Sequence, residues 1–124
     1  MRLTTRTTVL WTAQVLLAAL FAFAGVAKLT MPADVLAAQS GMSAGFLRFI
    51  GAAELLGAFG LILPGLFRIY QVLTPLAAAG LVIIMVGATV ITLGQGFAPA
   101  LMPLTAGLIA AYVTYGRARP FAAA

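Results

Sequence analysis

Four stretches of the chain are apolar almost without a break: Val9 to about Leu29, about Gly45 to Leu63, Thr74 to about Leu93, and Pro99 to about Gly116. A hydrocarbon core about 30 Å thick takes roughly 20 residues of helix to cross, and each stretch is close to that length. The apolar residues run on instead of alternating over about 10 positions, so the spans are helices and not barrel strands. The punctuation fits. Pro64-Gly65 is a breaker pair expected to stop the second helix. Thr74-Pro75 opens the third, with Thr as the cap and Pro in the first turn. The fourth starts among Pro99 and Pro103, and Gly94 to Ala98 links the last two. The segment between the first two spans reads as a loop carrying Asp34. This pattern predicts an all-α membrane protein, a single domain over residues 1–124, built as a bundle of four transmembrane helices at about 9–29, 45–63, 74–93 and 99–116. Ala18-xxx-Ala22, Ala53-xxx-Gly57, Ala79 and Gly80 supply small residues for close helix approach.

Composition strengthens this reading. Hydrophobic residues make up 64% of the chain and charged ones 7%, against about 45–50% and about 25% in soluble domains. Cysteine and histidine are absent, which excludes disulfides, thiol chemistry and thiolate or imidazole sites for metal or haem. No metal site and no cofactor of the chain's own are expected. The net charge of +5 comes from basic residues that form no run or stripe, so nucleic acid is not an expected partner.

The basic residues mark topology instead. Arg2 and Arg6 precede the first span, Arg68 lies between the second and third, and Arg117 and Arg119 follow the fourth. All five fall on one side of a four-span bundle. The excess of arginine on that side predicts a multi-pass protein of the cell membrane with both termini cytoplasmic. Trp11, Tyr70, Tyr112 and Tyr115 fall where the belt on that side belongs. Arg2, Arg6, an apolar run and Ala22-Phe23-Ala24 also resemble a signal peptide. The run, however, continues to Leu29, beyond the usual core of about 7–15 residues, so the first span is expected to be retained.

Glu54 stands out because it lies about nine residues into the second span, roughly 13 Å deep. An acidic or basic residue at the bilayer centre costs about 2.5–3.5 kcal/mol on insertion scales and ordinarily faces the bundle interior with a partner. Lys28, near the outer end of the first span, is the best-placed partner. Helical side chains lean toward their helix's N-terminus, so in antiparallel helices Lys28 and Glu54 lean toward each other. Arg48 leans outward, to snorkel to headgroups, pair with Asp34 or complete a basic rim with Lys28. Lys28 and Arg48 both also fit an ordinary interfacial role, whereas Glu54 has no route to water. Gln14, Gln71, Gln95, Thr89 and Thr92 are expected to be interhelical or interfacial hydrogen bonders.

The stretches "FAFAGVAKL" and "RFIGAAELLGAFGLILP", with "PLAAAGLVIIMVGA" in the third span, resemble the DoxX and DoxX-like family of small four-helix membrane proteins. The most specific parts are Gly25-xx-Lys28-Leu29 and Arg48-xx-Gly51-xx-Glu54. The resemblance places the family's motif on Gly25, Lys28, Arg48, Gly51 and Glu54. It implies a small bundle that works beside a larger, quinone-linked membrane oxidoreductase. Gly25 and Gly51 would keep the helices close, and Lys28, Arg48 and Glu54 would form a buried polar or ligand-binding cluster in the outer half.

Three function classes remain open. The first is an accessory or assembly subunit of a membrane complex, with a quinone or lipid headgroup as ligand and a homo-oligomer as a further option. The second is a small proton-coupled transporter using Glu54. The strong arginine bias argues against the dual topology of some small transporters. The third is an enzyme with Lys28 and Glu54 as acid and base, but no nucleophile, metal set or nucleotide motif accompanies them. Catalytic residues are therefore not assigned.

Overall fold

A computed structural model describes the backbone of residues 3–123 and the side chains of residues 6–38 and 41–118. Arg2 and the side chain of Arg119 lie outside the described residues. The chain forms five helices: α1 (Leu3–Thr30), α2 (Ala33–Ser40), α3 (Ala44–Phe67), α4 (Leu73–Leu93) and α5 (Phe97–Ala123). There are no strands among the described residues. Four segments, Arg6–Thr30, Ala44–Phe67, Leu73–Leu93 and Phe97–Ala118, are long and apolar enough to cross a membrane.

The four long helices close into a ring in which α1 packs on α3 and α5, and α4 packs on α3 and α5. Leu17 and Phe21 of α1, Ala58 and Leu61 of α3, Ala78, Leu81 and Met85 of α4, and Ala106, Ala110 and Val113 of α5 form the core. The outer surface is just as apolar: Phe23 is 77% exposed, Leu56 71% and Ile83 73%. In water such a surface would drive aggregation, whereas in a bilayer it is the lipid-facing coat.

Several boundaries differ from the expected ones, each for an identifiable reason. The segment read as a loop contains α2, which starts after Pro32, carries Asp34 in its first turn and ends at Gly41 with φ +74°. Leu36 is its buried contact, and the helix lies against α3. Next, α3 does not stop at Pro64-Gly65 but continues to Phe67. Its end comes at Arg68, in the left-handed region at φ +57°, where the cap N–H donates to the Pro64 carbonyl.

Proline has no N–H, so the carbonyl four residues earlier loses its helical donor. That carbonyl belongs to Gly60, and the Thr74 hydroxyl donates to it at 3.0 Å. Thr74 is therefore not the cap of α4, as its position before Pro75 suggested. It is the second helical residue and fastens α4 to α3. Finally, α5 passes through Gly116 because this glycine serves close packing and not termination. A Cβ there would meet Leu10 Cδ2 at 2.5 Å, and the Gly116 carbonyl accepts from Arg6 Nη2 at 2.7 Å.

The small-residue faces are also specific. Gly57 packs beneath Leu81 and Gly60 beneath Ala77, joining α3 to α4, and Gly65 lies against the Trp11 ring. Gly80, expected to pack closely, faces open space. Thr89 and Thr92 do not bridge helices. Their hydroxyls donate to Met85 and Ala88 carbonyls of their own helix, both at 2.7 Å, the ordinary resting place of a threonine in an apolar helix. Gln14 does bridge: its Nε2 donates to the Leu61 carbonyl at 2.5 Å, and its Oε1 accepts from Arg117 Nε at 2.5 Å.

Candidate functional site: a charged pair between apolar clefts

The site begins with two glycines. A Cβ on Gly25 would lie 2.6 Å from the Gly51 carbonyl oxygen and 3.1 Å from the Leu55 nitrogen. One on Gly51 would lie 2.7 Å from Lys28 Cβ and 3.0 Å from the Gly25 carbonyl oxygen. The backbones of α1 and α3 therefore touch, as small residues permit where lipid gives no hydrophobic drive between helices.

That contact sets the distance between the charges one turn away on each helix. Lys28 Nζ lies 2.8 Å from Glu54 Oε1; the lysine side chain is 28% exposed and the glutamate side chain 3%. The ammonium stands off the hydrogen-bonding direction of this oxygen, which has no directed donor. The contact is a close ion pair with spare acceptor capacity on the carboxylate. Arginine bonds of the forked, directional kind occur elsewhere in the structure; here a rotatable ammonium acts as a point charge.

Arg48 makes bonds that none of the three expectations named. Its Nη1 donates to the Leu29 carbonyl at 2.8 Å and its Nη2 to the Met31 carbonyl at 3.1 Å. The last carbonyls of a helix have no intrahelical donor and carry the negative end of its dipole. Arg48 on α3 supplies both the donors and the charge for α1. It fixes the two helix ends together and does not pair with Asp34. Nothing in the sequence around Arg48 marks these acceptors, because a carbonyl freed at a helix end is not a residue type.

Two clefts meet at the pair. One, of about 300 Å³, lies between α3 and α4 and is walled by Phe46, Ile50, Ile83, Met85 and Ile91, with Lys28 and Glu54 as its charged groups. The other, of about 340 Å³, extends past Lys28 toward Leu36, Thr92 and Gln95. Lys28, Met42, Leu47 and Ile91 border both. Sequence reasoning missed the contribution of α4, which carries no charge or motif. Its only signal is the proximity that a ring of four helices imposes. Sites for small molecules run to roughly 300–1,000 Å³, so either cleft has room for one ring-sized headgroup and not for a dinucleotide. The described residues contain no cluster of three or more metal-ligating side chains.

The model of the DoxX-like family covers residues 12–114, a span that includes Gly25, Lys28, Arg48, Gly51 and Glu54. No curated protein and no solved structure matches the chain. A family match across most of the chain, on a ring of four apolar helices, places this protein in the DoxX-like family of membrane proteins.

Proposed function

We propose that the protein is an accessory subunit of a larger membrane complex, quinone-linked, and that the Lys28–Glu54 pair receives the polar end of a small ligand lying in the α3–α4 cleft. The observation that carries this reading is the carboxylate's position. Glu54 is buried deep in an apolar bundle, beside a partly exposed lysine, at the point where two apolar clefts converge. A ring carbonyl would accept from the Lys28 ammonium, a ring hydroxyl would donate to the open side of Glu54, and the isoleucines would hold the ring and tail. Arg48 keeps α1 and α3 in register and is a positioning residue. Catalytic groups are not part of this reading; electron transfer would belong to the partner.

Calorimetric titration of the detergent-purified protein with a short-tailed quinone and its quinol tests it. Saturable binding is expected, weakened about tenfold in Lys28→Gln, the loss of one charge-assisted hydrogen bond. Equal binding by wild type and variant would remove the pair from the site. Proton-coupled cation uptake into proteoliposomes, abolished by Glu54→Gln, would replace the accessory reading with a transporter.

The proposed orientation has both termini in the cytoplasm. It is supported by the grouping of Arg6, Arg68 and Arg117 at one end of the ring, with Lys28, Asp34 and Arg48 at the other. A C-terminal alkaline phosphatase fusion should be silent and a C-terminal fluorescent protein bright. The reverse pattern would invert the topology.

A further inference from the structure

The end of the bundle away from Lys28 and Glu54 holds a third cleft, of about 160 Å³, where α1, α3, α4 and α5 meet; Trp11, Gln14, Arg68, Gln71, Thr74 and Arg117 line it. Several of its polar groups are already engaged. Gln14 bonds Leu61 and Arg117, and the Thr74 hydroxyl bonds Gly60. The Arg117 guanidinium carbon lies 5.4 Å from the centroid of the Trp11 ring, a cation–π distance. With Nε on Gln14 and one face on Trp11, the fork of Arg117 is fixed. Its Nη2, however, is buried and has no partner. Leaving a buried donor unpaired is costly, more so when it carries charge.

Charge sharpens the point. The chain has two acidic side chains. Glu54 is held by Lys28, and Asp34 lies in α2 at the opposite end. Arg6, Arg68 and Arg117 thus gather at one end with no side-chain carboxylate among them. A locked guanidinium with an idle N–H, a second arginine at the rim and no internal counter-charge together describe one half of an oxyanion site.

We infer that this cleft binds a phosphate group, held between the Arg117 guanidinium and Arg68 with Gln71 at the rim. The volume admits one tetrahedral oxyanion and not a nucleotide. The chemistry is common to an anionic phospholipid headgroup and to free phosphate, and the cleft's position at the helix ends gives both access. Arg117, Trp11 and Arg6 lie outside residues 12–114, whereas Arg68, Gln71, Gln14 and Thr74 lie inside, so the site joins the stretch that the family match covers to its flanks. It is independent of the reading of Lys28 and Glu54.

The test uses the full chain in a neutral detergent. Native mass spectrometry counts adducts of phosphatidylglycerol against phosphatidylcholine, and thermal melts follow a titration with inorganic phosphate. Three variants accompany wild type. Arg68→Asn removes the rim charge at a left-handed position that asparagine tolerates. Arg48→Gln makes the same charge change at the other end. Gln71→Glu places a carboxylate in the cleft. Wild type should retain phosphatidylglycerol over phosphatidylcholine, or saturate with inorganic phosphate. The first outcome identifies a lipid and the second a free anion. Arg68→Asn should weaken that binding about tenfold, whereas Arg48→Gln should change it less than about twofold. Gln71→Glu should abolish the binding and raise the melting temperature, because the variant supplies its own counter-charge; this gain cannot be mistaken for misfolding. Absence of both binding modes in wild type, or equal weakening by Arg48→Gln and Arg68→Asn, overturns the site.

Discussion

Lys28→Met should lower the melting temperature in a fixed detergent more than the double variant Lys28→Met/Glu54→Gln. The single change leaves a carboxylate that is 3% exposed without the ammonium now 2.8 Å away. Breaking one side of a buried pair in soluble proteins costs about 3–5 kcal/mol, because the remaining charge is neither solvated nor paired. The double change removes both charges, and the glutamine keeps the shape of the glutamate. Replacing a whole buried pair by neutral groups is often close to neutral. The inequality between the two variants is therefore a stronger statement than either melt alone, and it is read as a coupling in a double-mutant cycle. A double variant no more stable than the single would mean that Lys28 is not what holds Glu54 in place. A double variant that is stable but no longer binds a quinone would give the pair a role beyond the fold.

The second large effect comes from a position with no side chain at all. Gly25→Ala should destabilise the bundle by about 1–3 kcal/mol, the usual cost of overpacking a well-filled interior, while Gly80→Ala should be neutral or slightly stabilising. At Gly25 the added methyl meets the Gly51 carbonyl oxygen at 2.6 Å and the Leu55 nitrogen at 3.1 Å. Both are backbone atoms, which cannot rotate away, so α1 and α3 must move apart. At Gly80 nothing lies within 4 Å, and there alanine brings only its higher helix propensity, about 0.5–1 kcal/mol over glycine. Separation of α1 from α3 also lengthens the Lys28–Glu54 contact, so Gly25→Ala should reduce the coupling measured in the cycle above. Melts of both variants decide this. Equal stability of Gly25→Ala and wild type would show that the two helices slide past the clash at no cost.

Why the four spans were legible, and some of their connections not, follows from the solvent. A bilayer demands a long apolar run, and the sequence displays such a run directly; an eight-residue helix such as α2 has no such requirement. With Pro32 before it and Gly41 after it, α2 looks like turn chemistry at both ends, and among its described side chains only Leu36 is a buried anchor. Glu54 was conspicuous as the one acid inside an apolar run. The acceptors of Arg48 were not, since they are carbonyls that matter only once α1 has ended. The bond from Arg117 to Gln14 spans 103 positions and follows no local pattern. Gly57 and Gly80 look alike in the sequence, yet one packs beneath Leu81 and the other faces open space. That distinction depends on which side of a helix meets a neighbour, and helices apolar on every side do not reveal it.

The contact between α1 and α3 has a consequence for how this pair of positions can drift over generations. In many packed interfaces a larger residue on one side is rescued by a smaller one opposite, and the two positions then vary together. No such exchange is open to Gly25 and Gly51. Each would collide with the other's main-chain oxygen, and Gly51 also with the Cβ of Lys28, an atom that every residue but glycine possesses. Neither position has a compensating partner to offer. The two glycines are thus constrained separately, and a joint between backbones this close is expected to show no correlated substitution.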